Sequence, residues 1–310
     1  MPTIKINGFE CRYEISGNLD SQDTIIFLNG IANSLESWTL IKQPLEKDYK
    51  ILTYDLRGQW FSEVTEDAPY SFRGMAEDLE ALMDAHEIDS AHFVGTSLGG
   101  EIAFWFALMY PQKTKSICSI AAVSEVTALL QTQVGRWRSI AAEAVNEIDE
   151  DGQNTKDTLK KWGHNFYQGV VPELYANSFL EKNWDVVEQR DQFFQDACHR
   201  DFFLGHIYLC DMFFRLRTDE KLTHRLSEIE CPTLLIAGEQ DVIKPPSFSE
   251  LMARKIPGAE MRVIKDAGHA LINERPQELG EMVNDFVMKS SRGLSHHPSG
   301  NTESSNVMIG

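Results

Sequence analysis

The stretch FVGTSLGG, residues 93–100, constrains this chain more than any other. A short apolar run, AHFVG, stops at Gly95; Ser97 follows one residue later, then Leu98 and the pair Gly99–Gly100. The next segment, LGGEIAFWFALMYP, is apolar nearly all round, as a buried helix is, and Pro111 closes it. G-x-S-x-G between a strand and a helix is the pattern of a nucleophile elbow. Such a turn has no room for bulky side chains two residues before and two residues after the serine, where this chain has Gly95 and Gly99. It lifts Ser97 above the sheet edge. It also aims the amides and positive dipole end of the helix at the reacting centre, with the Leu98 amide as a donor to an oxyanion.

The rest of the chain supplies a sheet for that elbow. MPTIKINGFECRYEI reads as two short strands around the turn Asn7–Gly8. TIIFLNG (24–30), KILTYDLRG (50–58), KSICSIAA (115–122), CPTLLIAGEQD (231–241) and MRVIKDAGHA (261–270) are further strands with the loops that leave them. Ser34–Leu45, Met75–Ile88 and PQELGEMVNDFVMK (276–289) have apolar residues at helical spacing. Alternating strands and helices predict the α/β class, with a parallel sheet covered on both faces. The alternation fails from 124 to 228, where the chain is rich in Trp, Phe and Tyr and reads as helices. The expected organisation is therefore a core in two parts, 1–123 and 229–289, with a helical insertion over 124–228. Residues 290–310, rich in Ser, Asn, Gly and His without periodicity, read as a disordered tail.

A serine hydroxyl is a weak nucleophile and needs a base that is itself oriented by a third group. The chain order for this elbow is Ser, acid, His. Asp241 stands just after the strand TLLIAG, and His269 just after MRVI, both at carboxyl ends of strands, where open α/β sheets build their sites. His269 would take the proton from Ser97, and Asp241 would hold the imidazole in the right tautomer. Glu239 and Asp266 are the rival acids. A second oxyanion donor is expected from Asn29–Gly30–Ile31, with the Ile31 amide donating and Gly30 allowing close approach.

Composition narrows the partners. Among 310 residues, 47 Asp and Glu against 29 Lys and Arg leave a net charge of −18, which repels nucleic acid and anionic membranes. The five cysteines, 11, 118, 198, 210 and 231, are odd in number and contain no C-x-x-C, so neither a disulfide framework nor a zinc site is indicated. The opening residues lack the apolar core of a signal peptide, and no segment is long and apolar enough to span a membrane. A cytoplasmic protein is expected, monomeric or homodimeric, with no bound metal.

At these residues the chain resembles the α/β-hydrolase superfamily in its serine-hydrolase branch, over about residues 3–122 and 229–289. LNGIANSLESW is similar to the family's oxyanion loop with its downstream Trp, and YDLRGQWFSE to its D-x-R-G-x-G-x-S loop. VGTSLGG, GEQD and DAGHA complete the set. Two positions depart from the pattern. Asn29 replaces the usual His, which enol-lactonases and acyl-transferring relatives also often lack, and Trp60 replaces a glycine, which brings an indole toward the pocket. The resemblance implies the α/β-hydrolase fold, a mostly parallel central sheet with helices on both faces and an inserted helical cap formed by 124–228. Some cap aromatics should line an apolar pocket over Ser97; the candidates are Trp60, Trp137, Trp162 and Phe166. VVPELYANSFLEKN resembles cap sequence both of hydroxyacyl-transferring relatives, such as the rhamnolipid-precursor synthase, and of plain hydrolases.

The implied activity is hydrolysis of a carboxylic ester or lactone of a small apolar molecule through an acyl-enzyme on Ser97, without a cofactor. Three other readings remain open: an acyltransferase, a C–C bond hydrolase and a non-catalytic signalling protein on the same fold. The C–C hydrolase needs contacts for a carboxylate, for which Arg136 and Arg138 are the paired arginines at the start of the cap. Aspartate-dependent haloalkane or epoxide chemistry does not fit a serine elbow.

Overall fold

A computed structural model of the chain describes residues 1–66, 70–151 and 156–294. The opening hairpin forms because Asn7 and Gly8 both take positive φ, 43° and 87°, the backbone a two-residue turn needs between twisted strands. It joins β1 (Thr3–Ile6) to β2 (Phe9–Gly17). Six further strands follow: β3 (Thr24–Leu28), β4 (Lys50–Tyr54), β5 (Ala91–Thr96), β6 (Thr114–Ile120), β7 (Thr233–Gly238) and β8 (Glu260–Ile264). The sheet order is β1-β2-β4-β3-β5-β6-β7-β8. The β1/β2 and β2/β4 pairs are antiparallel and all others parallel. Every residue of β3, β5 and β7 is buried, which explains their continuous apolar runs.

The helices are α1 (Thr39–Lys42), α2 (Phe72–Ala85), α3 (Leu98–Met109), α4 (Ala128–Asp151), α5 (Lys156–Leu174), α6 (Asn177–Lys182), α7 (Trp184–Ala197), α8 (Arg200–Phe214), α9 (Pro246–Lys255), α10 (Leu271–Glu274) and α11 (Pro276–Leu294). Alternate strand residues feed two separate cores. Ile26, Leu28, Phe93 and Leu235 pack with α2, α3 and α9. Ile25, Phe27, Val94 and Ile236 pack with α1 and α11. Both faces of the sheet are thus covered. Among the described residues no helix is long and apolar enough to cross a membrane.

From β3 the chain continues to β4 on one side, and from β5 to β6 on the other. The adjacent carboxyl ends of β3 and β5 therefore flank a switch point, where α/β sheets open a crevice. Ile31 leaves β3 there and Ser97 leaves β5.

Two expectations need correction, and one helix was not expected. Ser34–Leu45 does not form one helix: it is a 3-10 turn, Leu35–Trp38, followed by the short α1. The helix α9 was not foreseen. The last helix also runs past Lys289 to Leu294; Ser290 is buried, its hydroxyl donating to the Phe286 carbonyl, and Ser291 meets His92 Nε2 at 3.1 Å. The remainder of the expected tail, 295–310, lies outside the described residues. Between β6 and β7, the stretch expected to be helical holds α4–α8.

The α4–α8 layer meets the core through backbone contact. A Cβ on Gly205 of α8 would stand 1.7 Å from the Gly58 carbonyl oxygen, so only glycine fits. Gly135 of α4, by contrast, has nothing within 4 Å of such a Cβ. Gly205→Ala is expected to lower stability by about 1–3 kcal/mol through overpacking, and Gly135→Ala to raise it by up to about 1 kcal/mol through helix propensity. Urea unfolding of the two variants checks both signs; a neutral Gly205→Ala would show that α8 is not seated on the Gly58 loop.

Candidate functional site

Ser97 takes φ 51° and ψ −116°, a backbone that an L-residue holds only when its surroundings impose it. A Cβ on Gly95 would lie 2.4 Å from the Gly99 carbonyl, and one on Gly99 would lie 2.0 Å from the Leu28 carbonyl oxygen. The two glycines let α3 start directly against β3 and β5, and the Ser97 amide is tied to the Ile120 carbonyl at 2.8 Å.

The structure brings three of the expected side chains together. His269 Nδ1 lies 2.8 Å from Asp241 Oδ2, and His269 Nε2 lies 3.1 Å from Ser97 Oγ. A carboxylate only accepts, so the hydrogen sits on Nδ1, and Nε2 is free to accept from the Ser97 hydroxyl. Asp241 is buried, and its other oxygen accepts from the Ile243 and Lys244 amides at 2.8 and 2.7 Å. The rivals are elsewhere. Glu239 and Asp266 are exposed, and Glu239 accepts from the Asp266 amide at 3.2 Å. The His269 loop is braced by Glu274, which accepts from the Gly268 amide at 3.0 Å and from the Ala176 amide at 3.2 Å. Burial pushes the Glu274 carboxyl upward, against those two amides. The Ala270 amide donates to the Leu174 carbonyl at 2.8 Å, joining the loop to the end of α5.

Ile31, Ser97 and Leu98 line a small cavity together with Val134, Trp137, Phe213, Ile243 and Lys244. Among the described residues neither the Ile31 amide nor the Leu98 amide has a hydrogen-bond partner. The loop carrying Ile31 is held from beneath. Asn29 is buried; its amide donates to the Tyr54 carbonyl at 3.0 Å and to Gln59 Oε1 at 3.2 Å, and its oxygen accepts from Trp38 Nε1 at 2.8 Å. Gln59 Nε2 in turn donates to the Gly30 and Ile31 carbonyls at 2.7 and 3.1 Å. Asp55 accepts from the Leu35 amide at 2.8 Å and from Arg12 at 3.0 Å. Burial nonetheless pushes its carboxyl up to about 6. On the same small cavity, Lys244 forms a buried ion pair with Glu101 at 2.7 Å.

A larger cavity opens beside Ser97 and His269, with about 80 Å³ of free space for the centre of a water-sized molecule. Trp137 and Phe166 line it, together with Tyr167, Val170, Tyr175, Phe194 and the polar residues Arg190 and His206. Trp60 and Trp162 do not, which corrects their expected place. Trp60 takes φ 45° where a glycine was expected; its indole donates to the Ala32 carbonyl at 3.2 Å and packs on Phe193, Phe194 and Phe202. The Trp162 indole donates to Glu147 at 3.1 Å. Arg136 and Arg138 also point away, pairing with Glu173 at 2.8 Å and Asp211 at 2.6 Å. Sequence reasoning missed Gln59, Glu274, Arg190 and His206. Only Gln59 lay inside a motif already singled out, YDLRGQWFSE.

Comparison with known proteins identifies the fold family. A family model described as the alpha/beta hydrolase fold matches residues 23–276. The chain is 27% identical over 285 residues to 3-oxoadipate enol-lactonase 1 of Acinetobacter baylyi, covering 92% of each. Among solved structures it is similar to MGS-M2, an alpha/beta hydrolase enzyme from a Medee basin deep-sea metagenome library. That match has a TM-score of 0.81 and 26% identity, over 93% of this chain and 97% of that one. The enol-lactonase of Burkholderia xenovorans LB400 shares the fold, with a TM-score of 0.77 and 23% identity over 93% and 100% of the two chains.

His206 generates a prediction of its own. It is fully buried between Phe166 and Phe202, neither ring nitrogen has a partner, and burial pushes its pKa from 6.5 down to about 3. Between those two values the unfolded chain binds a proton that the folded chain refuses, so stability falls as pH drops through the window. This residue alone should steepen the fall by up to about 1.4 kcal/mol per pH unit. His92, pushed down to about 4, acts in the same direction and is unchanged by substitution at 206. Urea unfolding of the wild type and His206→Phe between pH 7 and 5 should therefore show a shallower slope for the variant. Parallel slopes would mean that His206 protonates without penalty in the fold.

Proposed function

The chain belongs to the alpha/beta hydrolase fold family, and from that premise we propose that it is a serine hydrolase that cleaves a carboxylic ester or a lactone through an acyl-enzyme on Ser97. One observation carries the reading. The relay from Asp241 through His269, with contacts of 2.8 and 3.1 Å, ends at Ser97, which shares a cavity with Ile31 and Leu98, whose amides have no partner among the described residues.

The chemistry follows from those positions. Ser97 Oγ attacks the substrate carbonyl carbon as its proton passes to His269 Nε2. Asp241 keeps the imidazole in the accepting tautomer and stabilises the imidazolium that forms. The carbonyl oxygen becomes an oxyanion and accepts from the Ile31 and Leu98 amides, which the Gln59 brace and the start of α3 already hold in place. The tetrahedral intermediate collapses, and His269 returns the proton to the leaving alkoxide, or to the ring oxygen of a lactone. Water then attacks the acyl-enzyme with His269 again as base, releasing the acid and restoring Ser97.

The two cavities that meet at Ser97 give the substrate two arms. One is small and apolar, walled by Val134, Phe213 and Ile243. The other, beneath α5, α7 and α8, holds the larger part, with these helices acting as the cap. The narrowness of both favours a small molecule. The relative named as an enol-lactonase supports the lactone end of the reading.

Replacing Ser97 by Ala should lower kcat on the order of a millionfold and leave the unfolding transition in place. Asp241→Asn should cost roughly ten-thousandfold through the wrong tautomer, whereas Glu239→Gln and Asp266→Asn keep close to the wild-type rate. Hydrolysis of 4-nitrophenyl esters, with simple lactones beside them, measures all four. An organophosphonate should label the wild type at Ser97. A Ser97→Ala variant that kept a hundredth of the activity, or a phosphonate adduct elsewhere, would sink the assignment.

A further inference from the structure

The cavity beside Ser97 carries polar chemistry that the triad does not use. Arg190 of α7 and the hydroxyl side chains of Tyr167 and Tyr175 form part of its wall. No Asp, no Glu and no second Arg or Lys lines it, although acidic residues outnumber basic ones in the chain by 47 to 29. Among the described residues Arg190 is in no ion pair. The nearby carboxylates Asp191 and Glu274 lie outside the cavity wall and form no ion pair with Arg190, although Asp191 Oδ1 is buried without a partner. Asp191 meets His164 Nδ1 at 2.8 Å and accepts from Gln195 at 3.2 Å, and Glu274 holds the Gly268 and Ala176 amides.

The two tyrosine oxygens lie 3.2 Å apart. One hydroxyl hydrogen is used between them, and the other is left to donate outward. The Arg190 charge reaches both hydroxyls, and its pull opposes the effect of burial on each. A half-buried guanidinium in no ion pair, beside a spare hydroxyl donor, offers an anion entering the cavity a charged and a neutral donor together. The planar fork of arginine matches the two oxygens of a carboxylate. His206, also on this wall, is kept neutral by burial, so Arg190 is the side chain there that brings a standing positive charge. One charge in so narrow a space balances a monoanion better than a phosphate dianion.

We propose that Arg190, with Tyr167 and Tyr175, forms a carboxylate subsite, so that the substrate is an ester or lactone with a free carboxylate remote from the bond cleaved. The proposal deepens the hydrolase reading and rests on it. The subsite acts on binding, so its loss should appear mainly in KM.

The test compares two substrates that differ only in charge: the mono-4-nitrophenyl ester of adipic acid, and the same molecule with its free carboxyl capped as a methyl ester. The wild type should prefer the free acid in kcat/KM. Arg190→Gln should lower kcat/KM for the acid by about 10- to 100-fold, the size of a charge-assisted hydrogen-bond loss, while the capped ester stays within about twofold and so reports an intact fold and triad. Arg190→Lys should restore part of the preference, because it returns the charge without the fork. Equal turnover of the two esters by the wild type, or an equal fall of both in Arg190→Gln, would overturn the subsite and leave the hydrolase reading standing. Turnover of neither ester, together with failure of an organophosphonate to label Ser97, would overturn the hydrolase reading and the subsite with it.

Discussion

The close approach of α3 to the backbone of β3 is the contact on which the rest of the site depends. Any side chain at Gly99 would meet the Leu28 carbonyl oxygen at 2.0 Å, and any at Gly95 would meet Gly99 itself. With both positions empty, the helix begins one residue after Ser97 and holds that residue at φ 51°. The unfavourable backbone at one residue is offset by a helix buried along nearly its whole length. The same contact places the Leu98 amide beside the serine and brings the end of β3, with Ile31, to the other side. Moving α3 outward by the width of one methyl group would separate all three.

The loops around the elbow are held by buried polar groups whose hydrogen bonds are met within the fold. Asn29 is buried beneath the loop that carries Ile31. Its amide and its oxygen join β4, Gln59 and Trp38, so the position serves as a strut beneath the Gly30–Ile31 loop. Gln59 donates to two carbonyls of that loop. On the opposite side, Glu274 ties the His269 loop to the chain that follows α5. A buried carboxylate that binds two amides loses much if either is removed. This makes the position of His269 depend on the seating of the helical layer, and Gly205 of α8, pressed against Gly58, is a second anchor for that seating.

Legibility in the sequence followed the range of the interactions. The hairpin at Asn7–Gly8, the parallel strands and the elbow are local: their turns, periods and small residues lie within a dozen positions of one another. The meeting of Ser97, Asp241 and His269 was readable because all three follow strands of one parallel sheet, and such strands end on the same side. The cavity wall was not readable. Trp60 and Trp162 are as aromatic as Trp137 and Phe166, yet only the latter two reach the cavity. Arg136 and Arg138 stand side by side in sequence but are taken by Glu173 and Asp211, while the isolated Arg190 faces the cavity. Helical spacing tells which residues share a face, and it does not tell which neighbour that face will meet. The polar tail composition likewise concealed that Ser290 and Ser291 belong to the last helix and touch the Phe286 carbonyl and His92.

By itself, then, the sequence determined the strand–helix alternation, the strained serine turn and the order of the acid and base after it. Each of these is set by backbone sterics and by patterns within a short stretch of chain. Only the tertiary structure decided which acid touches His269, which amides remain without partners, and which cap side chains look onto Ser97. Those outcomes depend on how α4–α8 dock against the sheet. That docking is fixed by contacts between residues far apart in the chain, such as Gly205 with Gly58 or Ala176 with Glu274, and no local pattern encodes it.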